Sequence, residues 1–428
     1  MTGNRRRVSI GAGALALALG MTGCWPSPAQ GPDRNAYNPF ESDLTAADVA
    51  SLTEAWSAPL DGPRFTPATN PGGEIVTGHG GVYVNDATGM YRFDAADGSR
   101  DWRKPLPGFF PANQPAEFSQ AFVVDDRLLV GFGTVGDLLA QGAEWRSWWL
   151  DPATGITLVD GPDEGLPTGV RGSKLALAGS ACAEVSFCSG TYTVLDLDHP
   201  GVTSTGSLGV HIDNYQPPTL GTARLYHAGI DVQSVSSRIQ AFPVTGGATT
   251  ALWSTIIEFQ TGATAPVLSP DESTLYTGSG AGGAGHTLYA LDAATGAIEW
   301  RADVGAGVTA PPALAEGVLY VPTADGDLVA VDANGCGAPT CTPLWTAATG
   351  SRITSQPAVG GGVVYTGSQD GTVAAFDADG CGTATCPDLW SDATGAPITG
   401  APVVSGGQLY VVSSQDNVAG RVVAYALS

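Results

Sequence analysis

Lysine is nearly missing from these 428 residues, with Lys104 and Lys174 the only two. Acids number 41 against 18 bases, a net charge of −23, and so acidic a surface repels a phosphate backbone and excludes nucleic acid as a partner. The five histidines, His79, His199, His211, His227 and His286, are scattered with no metal-ligand spacing, and no serine sits in a nucleophile elbow. Metalloenzyme and hydrolase chemistry therefore have no support. No apolar run reaches the roughly 20 residues that a spanning helix needs. Long helices are excluded too, because 59 Gly and 30 Pro interrupt any helical period. At 43% hydrophobic the chain can still bury large cores, which fits an all-β repeat protein.

What is present is one unit written three times between Thr264 and Trp390. Thr264, Thr309, Thr354 and Thr399 stand 45 residues apart, and Tyr320, Tyr365 and Tyr410 keep the same step, as do Trp300, Trp345 and Trp390. Each copy has a threonine, a nearby proline, an apolar run ending in Tyr, an apolar-Asp turn with Gly, and Trp. Apolar and polar residues alternate with strand period, and the Asp/Asn/Gly clusters are hairpin signals, so each unit predicts four short strands, a propeller blade. The markers Phe93-Asp94 with Trp102, Leu150-Asp151, Leu195-Asp196, Phe242-Pro243 with Trp253, Leu291-Asp292 with Trp300, Val331-Asp332 with Trp345 and Phe376-Asp377 with Trp390 define seven units. An eighth, from Thr399 through Tyr410 to Tyr425, lacks an outer strand, which Trp56 supplies. The expectation is an all-β, eight-bladed β-propeller closed by an N-terminal strand that removes free sheet edges, with seven blades as the alternative. Blades two to four are looser copies with inserts around 135–149, 182–188 and 227–237, either shaping a binding face or drifting as surface loops.

The N-terminus carries an address. Arg5, Arg6 and Arg7 precede a short apolar run over 8–20 and then Met21-Thr22-Gly23-Cys24, the pattern of a signal peptide over 1–23. Those arginines are its only charges, so the remainder holds 41 acids against 15 bases (18 less 3), a net −26. Met-Thr-Gly-Cys resembles a bacterial lipobox, in which Cys24 is lipidated; an ordinary signal peptide with an incidental cysteine is the other reading, and the Sec or Tat route stays open. Residues 24–40, with Trp25-Pro-Ser-Pro-Ala-Gln-Gly-Pro directly after Cys24, are rich in Pro and read as a tether that cannot pack, with the propeller over 41–428. Thr45 is placed to cap a short helix over 46–54, with Val49 and Leu52 on one face. The other six cysteines fall into local pairs, Cys182 with Cys188, Cys336 with Cys341 and Cys381 with Cys386, the last two at the same position of successive repeats. Disulfides within their own hairpins are expected, hence an oxidising compartment at the outer face of the cytoplasmic membrane.

The segment Leu288-Tyr-Ala-Leu-Asp-Ala-Ala-Thr-Gly-Ala-Ile-Glu-Trp300 resembles the repeat of the pyrroloquinoline-quinone (PQQ) propeller superfamily, and residues 35–56 are similar to the start of many quinoprotein-like chains. The resemblance implies that the repeat Trp packs between blades while Asp and Gly form the turn. It also implies two kinds of function. The superfamily includes quinone-dependent dehydrogenases with bound calcium and non-enzymatic periplasmic lipoproteins such as the scaffold subunit of the outer-membrane assembly machine. Such dehydrogenases have two adjacent cysteines beside the cofactor, and no Cys-Cys dipeptide exists here. The turns Asp332-Ala-Asn334-Gly and Asp377-Ala-Asp379-Gly lack the spaced ligands and terminal Glu of a calcium loop. Polar residues that start the innermost strands, Arg64, Asn113, Gln114, Asn214, Gln216, Thr264, Thr309, Arg352, Thr354, Gln356 and Thr399, make a candidate funnel for a small polar ligand or a peptide loop. The expectation is a monomeric, membrane-anchored, extracytoplasmic binding or scaffold protein with no catalytic residue, metal or cofactor; the alternative is a divergent dehydrogenase using PQQ and calcium.

Overall fold

The computed structural model describes residues 24–63, 75–86, 88–105, 116–134, 145–163, 165–184, 187–199, 201–211, 216–231, 236–246, 250–259, 262–280, 285–415 and 418–428. Eight sheets make an eight-bladed propeller with almost no helix. Blade five shows the plan: Val267–Leu268, Thr274–Gly278, Thr287–Asp292 and Ile298–Asp303 run antiparallel from channel to rim. The middle strands are buried on both faces because blades stack face to face, so Leu288–Leu291 is a continuous apolar run; at the rim only Trp300 and Ala302 turn inward. Blade eight joins Val403–Ser405, Gln408–Ser413 and Ala419–Leu427 to Leu52–Pro63 from the other end of the chain, with Trp56 opposite Ala424. The helix expected over 46–54 is a single 3₁₀ turn, Val49–Ser51. Thr45 Oγ1 donates to the Asp48 carboxylate rather than capping, and Leu52 already belongs to the strand.

Neighbouring blades are held by one repeated contact. The indole N–H of Trp56 donates to the carbonyl of Ala95 (3.0 Å), that of Trp102 to Pro152 (3.1 Å) and that of Trp253 to Ala293 (3.2 Å). These acceptors follow the turn aspartates of the next blade. Second-strand tyrosines reach the same class of carbonyl: Tyr226 donates to Ala293 (3.3 Å), Tyr276 to Ala333 and Tyr320 to Ala378 (both 3.0 Å). Burial pushes the Tyr276 hydroxyl up to about 12, so it stays a donor. In the turn, Asp292 accepts the N–H of Ala294 and Asp332 that of Asn334. The turn glycine is required twice over. Gly335 and Gly380 have φ of +76° and +80°, and a Cβ on them would lie 2.7 and 2.6 Å from the rings of Trp300 and Trp345.

Two disulfides, Cys336–Cys341 and Cys381–Cys386, close loops between the third and outer strands of blades six and seven. Each loop laps the rim of the preceding blade. Thr340–Cys341 pairs in parallel with Arg301 and Ala302 of blade five, while Thr346 of blade six donates to Ala384 (2.9 Å) and accepts from Cys386 N–H (2.8 Å). An edge that would otherwise expose unpaired backbone is thereby covered. Cys182 faces Cys188 across the hairpin of blade three; their side chains lie outside the described set.

Gly350 offers a control, since its φ is +81° but nothing lies within 4 Å of a Cβ placed there. Gly350→Ala should cost about 1–2 kcal/mol for the left-handed backbone alone. Gly380→Ala should cost about 1–3 kcal/mol more by displacing Trp345. Denaturant unfolding measures both, and equal losses would sink the stacking role of the tryptophan.

Candidate functional site: the central channel

Eight innermost strands leave eight inward edges whose N–H groups need acceptors. Residues 25–38 supply most of them. The carbonyl of Trp25 accepts from Thr77 (2.8 Å), Pro26 from Val123 (2.7 Å), Pro32 from Leu220 (3.0 Å), Asp33 from Leu268 (3.0 Å), Asn35 from Leu314 (2.8 Å) and Ala36 from Val359 (2.9 Å). Those donors lie on blades one, two, four, five, six and seven. On blade three Gly169 backs onto Pro32, and on blade eight Asn38 Nδ2 donates to the carbonyl of Val404 (2.9 Å). Tyr37–Asn38 runs parallel to Val359–Gly360 as an added inner strand of blade seven. The segment is a hub inside the ring.

This corrects the reading of 24–40 as an unpacked tether. Trp25, Ala29, Arg34, Ala36 and Asn38 are all buried. Proline-rich composition suits the role, because Pro26 and Pro32 offer carbonyls without an N–H that would itself need a partner. The tight path shows in left-handed backbone at four non-glycine residues, Ala29, Gln30, Arg34 and Ala36 (φ of 53°, 69°, 59° and 53°). Both ends are fixed. Trp25 N–H donates to Thr77 Oγ1 (2.7 Å), which also bonds Ser405 Oγ (2.8 Å), and Glu41 accepts from the N–H groups of Asp43, Leu44 and Gly407. Burial pushes the Asp33 carboxyl up, against the pull of the Arg171 guanidinium. Cys24, directly before Trp25, is a half-buried free thiol that burial pushes up.

Four of the expected funnel residues recur at equivalent places of blades five to eight, but their hydroxyls serve the fold. Thr264 Oγ1 accepts from Gly278 N–H (3.0 Å), Thr309 Oγ1 donates to the carbonyl of Pro322 (3.3 Å), Thr354 Oγ1 to that of Ile398 (2.7 Å), and Thr399 Oγ1 lies 3.4 Å from Ser414 Oγ. Gln216 Oε1 accepts from Ala265 N–H (3.2 Å). Gln356 Nε2 donates to the carbonyls of Arg34 (2.8 Å) and Pro312 (2.9 Å), so it holds the hub rather than a ligand. Arg352 is exposed. Arg64, Asn113, Gln114 and Asn214 lie outside the described residues.

Residues 236–336 and 336–427 each match the family profile described as outer membrane protein assembly factor BamB. Quinohemoprotein alcohol dehydrogenase ADHIIG from Pseudomonas putida HK5 superposes over 95% of this chain and 80% of its own, with 15% identity and a TM-score of 0.69. BamB from Moraxella catarrhalis superposes over 88% and 99%, with 16% identity and a TM-score of 0.56. The chain has the PQQ-like β-propeller fold. No curated protein matches its sequence. At such identities the likeness is one of fold. The sequence has no adjacent cysteine pair, and the described residues hold no group of three His, Cys, Asp or Glu able to bind a metal. The inward wall is also engaged by the propeller's own hub.

A hub predicts a large effect where a tether predicts almost none. Trp25→Ala, in soluble protein begun at residue 24, should lose about 3–5 kcal/mol of unfolding free energy. A loss within about 0.5 kcal/mol, the usual range for surface changes, would return residues 24–40 to a tether.

Proposed function

We propose that this protein is an extracytoplasmic lipoprotein, anchored through Cys24, whose propeller serves as a binding scaffold for another protein. The observation that carries the scaffold reading is the hub: the channel wall is spent on the chain's own residues 25–36, which leaves the outer surfaces for recognition. The match of 236–427 to the BamB profile supports it. The two disulfides accord with an oxidising compartment, and the signal and lipobox pattern of 1–24 supports the anchor. A divergent PQQ-dependent dehydrogenase is the second reading, favoured by the extent of the superposition on the quinohemoprotein alcohol dehydrogenase.

Two measurements test these statements. Purified protein titrated with PQQ and calcium should neither retain the quinone absorbance nor reduce dye with alcohols or sugars; stoichiometric retention with turnover establishes the dehydrogenase instead. In cells, the wild-type protein should enter the detergent phase and Cys24→Ala should leave it, whereas a variant that still partitions refutes lipidation.

A further inference from the structure

At its rim blade two lacks the outer-strand tryptophan that six other blades carry as Trp56, Trp102, Trp253, Trp300, Trp345 and Trp390. Its outer strand, Thr157–Asp160, pairs inward with Trp145–Leu150, and among the described residues no backbone hydrogen bond joins its outward edge to a neighbouring blade. Gly161 N–H donates inward to the carbonyl of Ser147 (2.8 Å), so strand alternation turns the N–H and carbonyl of Asp160 outward. Trp102 stands eight residues after Asp94 and Trp300 eight after Asp292; eight residues after Asp151 this blade has Val159. Val159 is 51% exposed, where Trp300 is 6% exposed. A bulge between Thr157 and Val159 brings Leu158 to the surface beside it, and Ile156 is exposed as well. Natural proteins cover or charge such an edge; the disulfide loops of blades six and seven cover the rims of blades five and six, whereas here Leu158 and Val159 stay half exposed beside Asp160.

We propose that this edge docks an extended segment of a partner protein as a fifth strand on blade two, with apolar side chains against Leu158 and Val159 and Lys or Arg facing Asp160 and Asp163. The proposal rests on the scaffold reading above. The rim of blade five accepts a short added strand, Thr340–Cys341, so the mode of addition exists within the molecule. Charge selects the occupant. Asp160 and Asp163 are exposed in a chain of net −23, which repels a second copy of itself and attracts a basic segment.

The test is panning of a phage-displayed random peptide library on the purified protein, followed by titration of the enriched synthetic peptides. Enriched peptides should alternate apolar residues with Lys or Arg. Their affinity should fall at least about tenfold for Asp160→Pro, which removes the outward donor and spares the inward ladder, and for Leu158→Arg, both with unchanged thermal unfolding. Should one variant fail to fold, the other decides. Peptides that bind both variants like wild type overturn the assignment to this edge and leave the scaffold reading standing, and no enrichment overturns both. A concentration-dependent dimer in sedimentation, lost in Asp160→Pro, gives the edge to a second copy and overturns the proposed partner.

Discussion

A ring of sheets turns one strand edge of every blade inward, and those edges are the constraint on which this molecule depends. Rim edges can meet water or be covered, but the inward N–H groups face a narrow channel where each must find an acceptor or lose the worth of a hydrogen bond. One segment of fourteen residues, 25–38, supplies backbone carbonyl acceptors to six blades and touches the other two, through the Asn38 amide donating to blade eight and Pro32 lying against Gly169 of blade three. Because a single chain touches every blade, displacing it disturbs them together. The Trp-to-carbonyl contacts act only between neighbours, as expected of a repeat array.

The periodic part of the fold was legible because its chemistry recurs at a fixed step. Trp300 and Trp345 rest on Gly335 and Gly380, and Asp292 and Asp332 hold their turns, so any change of register would cost ring burial, a strained φ and a turn hydrogen bond at once. The hub was not legible. Trp25-Pro-Ser-Pro reads the same whether its carbonyls face water or a ring of N–H donors, since proline content reports the lack of donors and says nothing of where acceptors point. A buried tryptophan immediately after Cys24 was the available signal, for a free tether has no use for one.

The candidate funnel was half legible for the same reason. The sequence placed Thr264, Thr309, Thr354 and Thr399 at equivalent strand starts, and they stand there. Spacing fixes position, however, and three of the hydroxyls meet backbone: Thr264 accepts from Gly278 N–H, while Thr309 and Thr354 donate to the carbonyls of Pro322 and Ile398. Gln356 differs, because its longer amide reaches past its own strand to the hub.

Blades two and three abandon the tryptophan contact. Ser204 stands eight residues after Asp196 and donates to the carbonyl of Pro243 (2.8 Å), a small hydrogen bond in place of an indole, and Val159 has neither. Losing such a contact at one blade boundary removes roughly the burial of a large aromatic side chain, a few kcal/mol. Pro26 on Val123 and Pro32 on both Leu220 and Gly169 tie this sector to the rest of the ring from inside. Inner attachment persists where the rim contact is lost, and the rim of blade two keeps an exposed apolar strand where six other blades carry a tryptophan.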